Sequence, residues 1–318
     1  MYKIIQLMIA IGLAFAPVLS STPAAATLLH TWVASNGSDA NNCDRPTPCA
    51  TFNGAYINTT VGGEISCVDS GDFVGLTISH SITINCENVI GSTLVSNSGS
   101  TITIDSSATG AVVLRGLDLD GGNTDTCNQI FDNGAVELHV EKVKINHVGG
   151  GCTGISFQPI GPAKLFISDS EITNNGGSGT AGGVYVFPAS GVEADFVIDR
   201  THIEGNYFGV ISDGNGGGTI HGVIRDSVVS GNVENGITAS TTSSNVVLFI
   251  DNTAVSGNFH GLVAGGSTAA MMVSNSGVSG NSVGLFTVSG GALYSYGNNR
   301  VDGNNGNNGA FTGPATLK

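Results

Sequence analysis

Basic residues are scarce in this chain. Lys and Arg together number 10 among 318 residues, against 24 Asp and Glu, for a formal charge of −14. No stripe of cations exists that could displace counterions, which excludes nucleic acid as a partner. Aromatic residues are also few, at 6%, with Trp32 the single tryptophan. A broad aromatic platform for stacking sugars is therefore not expected. Zinc spacings are missing, since neither Cys-x-x-Cys nor His-x-x-x-His occurs. Only one long apolar run exists, at residues 4–19, and Lys3 is the only basic residue before it. Pro17 and the small-residue exit Ala24-Ala25-Ala26 favour a cleaved signal peptide over residues 1–26 rather than a retained anchor. The expected location is secreted, periplasmic or cell-surface, with no membrane association after cleavage.

What the chain does have is glycine, 48 residues of it, with a slightly positive mean hydropathy of +0.20. It also has six cysteines, Cys43, Cys49, Cys67, Cys86, Cys127 and Cys152, all in the first half. An exported chain keeps such cysteines oxidised. Of the fifteen conceivable pairings, the most local set is preferred: 43–49, 67–86 and 127–152.

The step Val-Ser-Gly-Asn occurs three times, at residues 229–232, 255–258 and 278–281. Aligning its aliphatic residue extends the series to Ile145, Ile172, Ile203, Val229, Val255, Val278 and Val301, at intervals of 27, 31, 26, 26, 23 and 23. Three places later comes an Asn column (Asn175, Asn206, Asn232, Asn258, Asn281, Asn304), and shortly after it a Gly-aliphatic pair. Five places earlier runs a further apolar column, from Val140 to Tyr296. A period in the twenties with no helical pattern inside it predicts an all-β solenoid whose coils share one core. Strand alternation turns the aligned aliphatics inward, along with a hydroxyl column of Ser170, Thr201, Ser227, Thr253 and Ser276. The Asn column is assigned to a sharp corner, on the argument that Asn tolerates left-handed backbone angles and stacked amides can bond from coil to coil. Neither a six-residue left-handed repeat nor a Leu-x-x-Leu-x-Leu register is present, which leaves a single-stranded right-handed parallel β-helix. About ten coils fit between residues 67 and 311. Residues 27–66 form an N-terminal strand and cap, with an amphipathic segment at 50–58, and 312–318 form a loose tail.

Two stretches carry a family resemblance. "TWVASNGSDANNCDRPTPCATFNGAY" (31–56) looks like the start of many exported β-helix proteins, and "GDFVGLTISHSITINCENV" (71–89) resembles their next coil. Together with the Asn-Gly-aliphatic repeats, the chain resembles the pectin-lyase-like superfamily, in particular its right-handed β-helix repeat proteins. That resemblance implies a polysaccharide lying along one parallel sheet, met by carboxylates, often with calcium, and by an Arg or Lys. The catalytic motifs carry over poorly. Asn123-Thr124-Asp125 matches the first polygalacturonase motif, but Asp-Asp, Gly-His-Gly and Arg-Ile-Lys are absent, as is the Asp-Pro-His-Glu step of alginate epimerases.

The repeat register brings out one polar cluster. Three places before the aligned aliphatic stand Lys142, Asp169, Arg200 and Asp226, and one place before it stand Lys144, Glu171 and His202. On neighbouring coils these would alternate in sign about 5 Å apart. As an ion-pair ladder they contribute little stability. As a substrate-binding surface, Asp169 or Glu171 would supply a carboxylate, Arg200 would neutralise a uronate and His202 would carry a proton. "DLDGGNTD" places Asp118 and Asp120 on one face with Asp125 beyond; calcium there is the only ion considered, against an ordinary Asp/Gly turn. No other cofactor or metal site is expected, and the remaining histidines, His221 among them, read as scattered surface or corner residues. The leading reading is a non-catalytic exported scaffold that binds polysaccharide. A polysaccharide lyase, hydrolase or epimerase and an adhesive protein-binding module are the alternatives. An enzyme predicts a cleft over the cluster, walled by extra residues between Ile172 and Ile203, whereas a scaffold predicts a shallow polar face. The oligomeric state is left open.

Overall fold

The computed structural model describes residues 27–94, 100–124 and 128–315. The expected signal peptide, Cys127 and Asp125 lie outside them.

Short β-prone stretches separated by Gly, Asn and Ser fold here as strands of a parallel β-helix. Each coil runs through three sheets in turn. Sheet 1 has 12 strands, sheet 2 has 10 and sheet 3 has 9, and every neighbour within a sheet comes from the next coil. Nine coils thus carry all three strands, close to the number expected from the repeat. One coil consists of Thr219–Arg225 in sheet 1, Val228–Ser230 in sheet 2 and Asn235–Ser240 in sheet 3. Its next turn repeats them as Val246–Asp251, Ala254–Ser256 and His260–Gly265.

The predicted columns are rungs of this ladder. Ile145 pairs with Ile172, Ile172 with Ile203, Ile203 with Val229 and Val229 with Val255. All five are fully buried, as are Val140, Ile198, Ile224 and Ile250 behind them in sheet 1. The one slip in that column is at its end, where Ser295 rather than Tyr296 stands over Val273. The Tyr296 ring instead packs edge-on against Phe249. The hydroxyl column is inside, with Thr201 fully buried and its Oγ1 donating to the Asp199 carbonyl at 2.9 Å.

The Asn column corrects one expectation and bears out another. Left-handed backbone belongs to the preceding residue, with φ of 57° at Asn174, 66° at Gly205, 62° at Gly231 and 68° at Gly257. Glycine supplies the positive φ without steric cost, and the Asn after it is turned into the coil. There its amide bonds to the next coil: Nδ2 of Asn206 donates to Asn232 Oδ1 at 3.2 Å, and Nδ2 of Asn232 donates to Asn258 Oδ1 at 2.8 Å. The same Oδ1 atoms accept from backbone, as in Asn206 N to Asn232 Oδ1 at 3.0 Å.

Each end carries an added element. Residues 52–58 form a short helix capped by Thr51, whose hydroxyl accepts from Gly54 N at 2.9 Å. Gly54 has a local reason, because a Cβ there would lie 2.2 Å from the Asp39 carboxylate that holds Thr51. At the other end, Gly313–Pro314 pairs with the last long strand of sheet 1, so part of the expected loose tail is strand. Disulfides join Cys43 to Cys49 and Cys67 to Cys86, as the local pairing predicts. The third expected pair involves Cys127, outside the described residues. Among the described residues no helix is long and apolar enough to cross a membrane.

One charged group interrupts the axis. Asp132 is fully buried; its Oδ1 accepts from Gly134 and Ala135 N–H at 2.9 Å each, while Oδ2 finds no partner among the described residues. Burial pushes its carboxyl up from 3.8 to about 6, against the smaller pull of those two N–H groups.

Two stability predictions follow from these contacts. Asn232→Ala leaves Asn206 N–H buried without an acceptor and costs about 1–3 kcal/mol, whereas Ser256→Ala on the outer face changes stability by less than about 0.5 kcal/mol. Urea midpoints of the two variants give the comparison. For Asp132 the folded pKa lies above the unfolded one, so its contribution is complete at low pH and is lost as pH rises through about 6. The loss amounts to about 3 kcal/mol. Asp132→Asn should abolish it, so the stability difference between variant and parent grows from pH 4 to pH 7. A pH-independent difference would show that the carboxyl titrates normally.

Candidate functional site

Seven sequence-predicted residues sort into two neighbouring rows. Lys144, Glu171 and His202 lie side by side on the outer face of sheet 2, in successive coils. Asp118 extends the row by one rung below Lys144, giving Asp118–Lys144–Glu171–His202. The strands that carry them are short: Lys144–Val148, Glu171–Thr173 and His202–Glu204. Alternation buries the central aliphatic of each and turns the charged residue outward.

Lys142, Asp169, Arg200 and Asp226 form the second row, at the bend from sheet 1 into sheet 2. Every one has left-handed backbone, with φ of 52°, 51°, 46° and 50°, and Asn252 and Asn275 continue the series at 43° and 50°. This corner therefore needs what the sequence reading assigned to the Asn column. Asp and Asn adopt it at little cost, whereas for Lys142 and Arg200 it is strained by about 1–2 kcal/mol. Sequence alignment located the column but not its backbone, because Asp, Lys, Arg and Asn share no obvious signature.

The charges of both rows are largely paired. Arg200 grips Asp169 with two bonds, Nε to Oδ1 at 2.7 Å and Nη2 to Oδ2 at 2.9 Å, and also donates to Asp199. Arg225 holds Asp199 from the following coil, at 3.2 Å. The Arg200 hydrogen bonds keep the Asp169 carboxyl below its ordinary range, and Asp169 in turn raises Arg200. Lys144 reaches Glu171 at 3.6 Å, and His202 stands 3.8 Å from Glu204. Asp226 accepts from Asn252 Nδ2 at 2.6 Å. Lys142 pairs with Glu87, whose carboxyl it lowers. Glu87 is 55 residues away in sequence and two coils down, in a part of the chain where the repeat is too irregular to align.

A depression of about 380 Å³ lies at the lower end of the rows. Glu87, Val89, Ile90, Asp118, Lys142 and Lys144 line it. Asp118 is the one carboxyl here shifted upward, chiefly by burial, with Lys144 pulling the other way and Asp120 and Glu171 adding to the rise. Asp120 itself faces His147 Nδ1 at 3.3 Å. The Asp118–Asp120 pair considered for calcium is thus flanked by Lys144 on one side and His147 on the other, a poor setting for a cation. The extra residues between Ile172 and Ile203 fall at positions 174–181, between sheets 2 and 3. They border the far edge of sheet 2 and do not wall the corner row.

No family model matches the sequence, and no curated protein matches it. Among solved structures the chain is similar to pectate lyase Pel9A. The similarity covers 86% of this chain and 73% of that one, with a TM-score of 0.48 and 14% identity. No residue is carried across at that identity. The parallel β-helix stands on its own strand register.

The left-handed corner makes a prediction. Lys142→Asn replaces a strained residue by one that visits this conformation routinely, and should raise stability by up to about 1 kcal/mol. Lys144→Asn, on extended backbone one rung position away, should give no such gain. Parallel denaturation curves decide between them.

Proposed function

We propose that this protein is an exported, non-catalytic scaffold that binds neutral polysaccharide along the outer face of sheet 2. The observation that carries the reading is the in-register row Asp118–Lys144–Glu171–His202, donors and acceptors alternating at one rung per coil. Rungs of a parallel sheet repeat every 4.7–4.9 Å or so. Sugar hydroxyls both donate and accept, so a row of alternating character suits them better than a row of one sign. An acidic polymer is disfavoured. The guanidinium expected to meet a uronate, Arg200, is already bound by Asp169 and Asp199, and the chain as a whole is strongly acidic.

The same pairing argues against acid/base chemistry at Asp169. A carboxylate held below its ordinary range by a bidentate guanidinium is a weak proton acceptor. One observation favours the enzymatic alternative: Asp118 is raised by burial and borders the depression, the disposition of a general acid.

A panel of neutral and acidic polysaccharides, with and without calcium, tests both readings. Retention of a neutral polymer is expected, unaffected by chelator and weakened roughly 10-fold by Lys144→Ala or Glu171→Ala, the loss of a charge-assisted hydrogen bond. No reducing ends or unsaturated products should accumulate. Product release that disappears in Asp118→Asn would replace the scaffold by an enzyme.

A further inference from the structure

The outer face of sheet 1, around the coil from sheet 2, carries a cluster that the glycan reading does not use. Strands Glu193–Asp199 and Thr219–Arg225 pair so that His221 stands opposite Asp195, with Glu193 two residues along the same face. Nδ1 of His221 lies 3.2 Å from Glu193 Oε1 and 3.4 Å from Asp195 Oδ1. All three donor atoms fall within 4.8 Å of one another.

These separations suit a shared ion. Ligands bound tetrahedrally at 2.0–2.2 Å from zinc stand about 3.4 Å apart. Convergence on a single nitrogen is what distinguishes the group. His139 also sits between two glutamates, but Glu137 faces its Nε2 at 3.6 Å and Glu141 its Nδ1 at 3.9 Å, so the three cannot meet at one point. Among the described residues the ion pairs of Glu193 and Asp195 both go to His221; Lys164 stands on the neighbouring rung opposite Asp195, but its ion pair goes to Glu137.

A second, independent feature adjoins the cluster. Asp195 and His221 form one side of a hollow of about 310 Å³ whose other walls include Val197, Val223, Phe249 and Met272. Those four belong to consecutive rungs of one outward column of sheet 1. An outward apolar hollow beside converging donors is the arrangement of a metal with vacant positions directed at a ligand.

We propose that Glu193, Asp195 and His221 bind a divalent transition ion of the zinc class, with its remaining coordination positions open to the apolar hollow. One imidazole and two carboxylates suit zinc, whereas calcium takes six to eight oxygens and magnesium a rigid octahedron. The donors sit on two hydrogen-bonded strands, so the site is built on rigid elements before the ion arrives.

Titration calorimetry on tag-free, metal-stripped protein with zinc chloride, and in parallel with calcium chloride, tests this. The expected result is one zinc per chain, with no competition from equimolar calcium. His221→Ala should weaken zinc binding by more than the ~10–100-fold that loss of an outer hydrogen-bond partner costs, and His139→Ala should leave it unchanged. The thermal midpoint should rise with zinc in the parent protein and not in His221→Ala. Zinc binding retained in His221→Ala, or no binding by a protein whose circular dichroism shows it folded, overturns the proposal. The sugar-binding row lies on another sheet, so this result and the glycan panel succeed or fail separately.

Discussion

Strict vertical register is the constraint on which the rest of this molecule depends. In a parallel coil every side chain stands directly over its counterpart, so a residue type chosen once is repeated against itself. Aliphatic columns gain from this arrangement because they pack, and Ile145, Ile172 and Ile203 form one continuous wall. Charges cannot repeat in the same way, since like signs one rung apart repel. The outer face of sheet 2 resolves the conflict by alternation, and the corner row resolves it by interposing Asp169 and Asp199 around Arg200. Asparagine is the polar residue that does gain from self-stacking, because each amide both donates upward and accepts from below.

Much of this was legible in the residues. The period and the inward aliphatics predict the rungs, because one interior column with a fixed phase determines which residues are neighbours. From the same phase follow the juxtaposition of Lys144 with Glu171 and of Asp169 with Arg200, which no local motif announces. The expectations that fail do so for local backbone reasons. In Ser-Gly-Asn two residues can take positive φ, and glycine does so at lower cost, leaving the Asn free to face inward. Counting five residues back from Val301 puts Tyr296 in the column, but the last bend from sheet 1 into sheet 2 holds one residue more than the bend before it and shifts the pairing by one. Glu87 and the Glu193–Asp195–His221 group were invisible for another reason: both lie off the aligned column, and their meeting depends on sheet 1 geometry and on irregular early coils.

The division between the two halves has a common origin as well. The Asn ladder begins at Asn175, whose Oδ1 accepts from Val148 N–H at 3.2 Å, and runs to Asn304. Below it, the coils lack that column, and there, among the described residues, stand both disulfides, the capping helix and most of the unpartnered interior polar atoms. Asp132 and Gln129 are both fully buried, with side-chain atoms that find no partner among the described residues. Among the described residues no disulfide joins coils that the self-stacking amides hold together; below them Cys67–Cys86 links two successive coils and Cys43–Cys49 closes a loop in the N-terminal segment.

That junction is also where the polar row sits. Lys144 belongs to the last coil below the ladder, while Glu171 and His202 belong to its first two coils, whose Asn175 and Asn206 are joined at 2.9 Å. The row thus has one end fixed by a buried amide network and the other beside a depression whose lining includes Cys86 of a disulfide. A polymer lying along it would meet side chains whose spacing cannot relax, because moving one rung would break the amide beneath it. Pre-organisation of this kind reduces the ordering cost that weakens most flexible sugar-binding surfaces. Lys142, Lys144 and Arg200 stand within three successive coils, each beside a carboxylate. Held by their carboxylate partners, they contribute fixed donors to a surface of mixed sign and not a field that attracts anions.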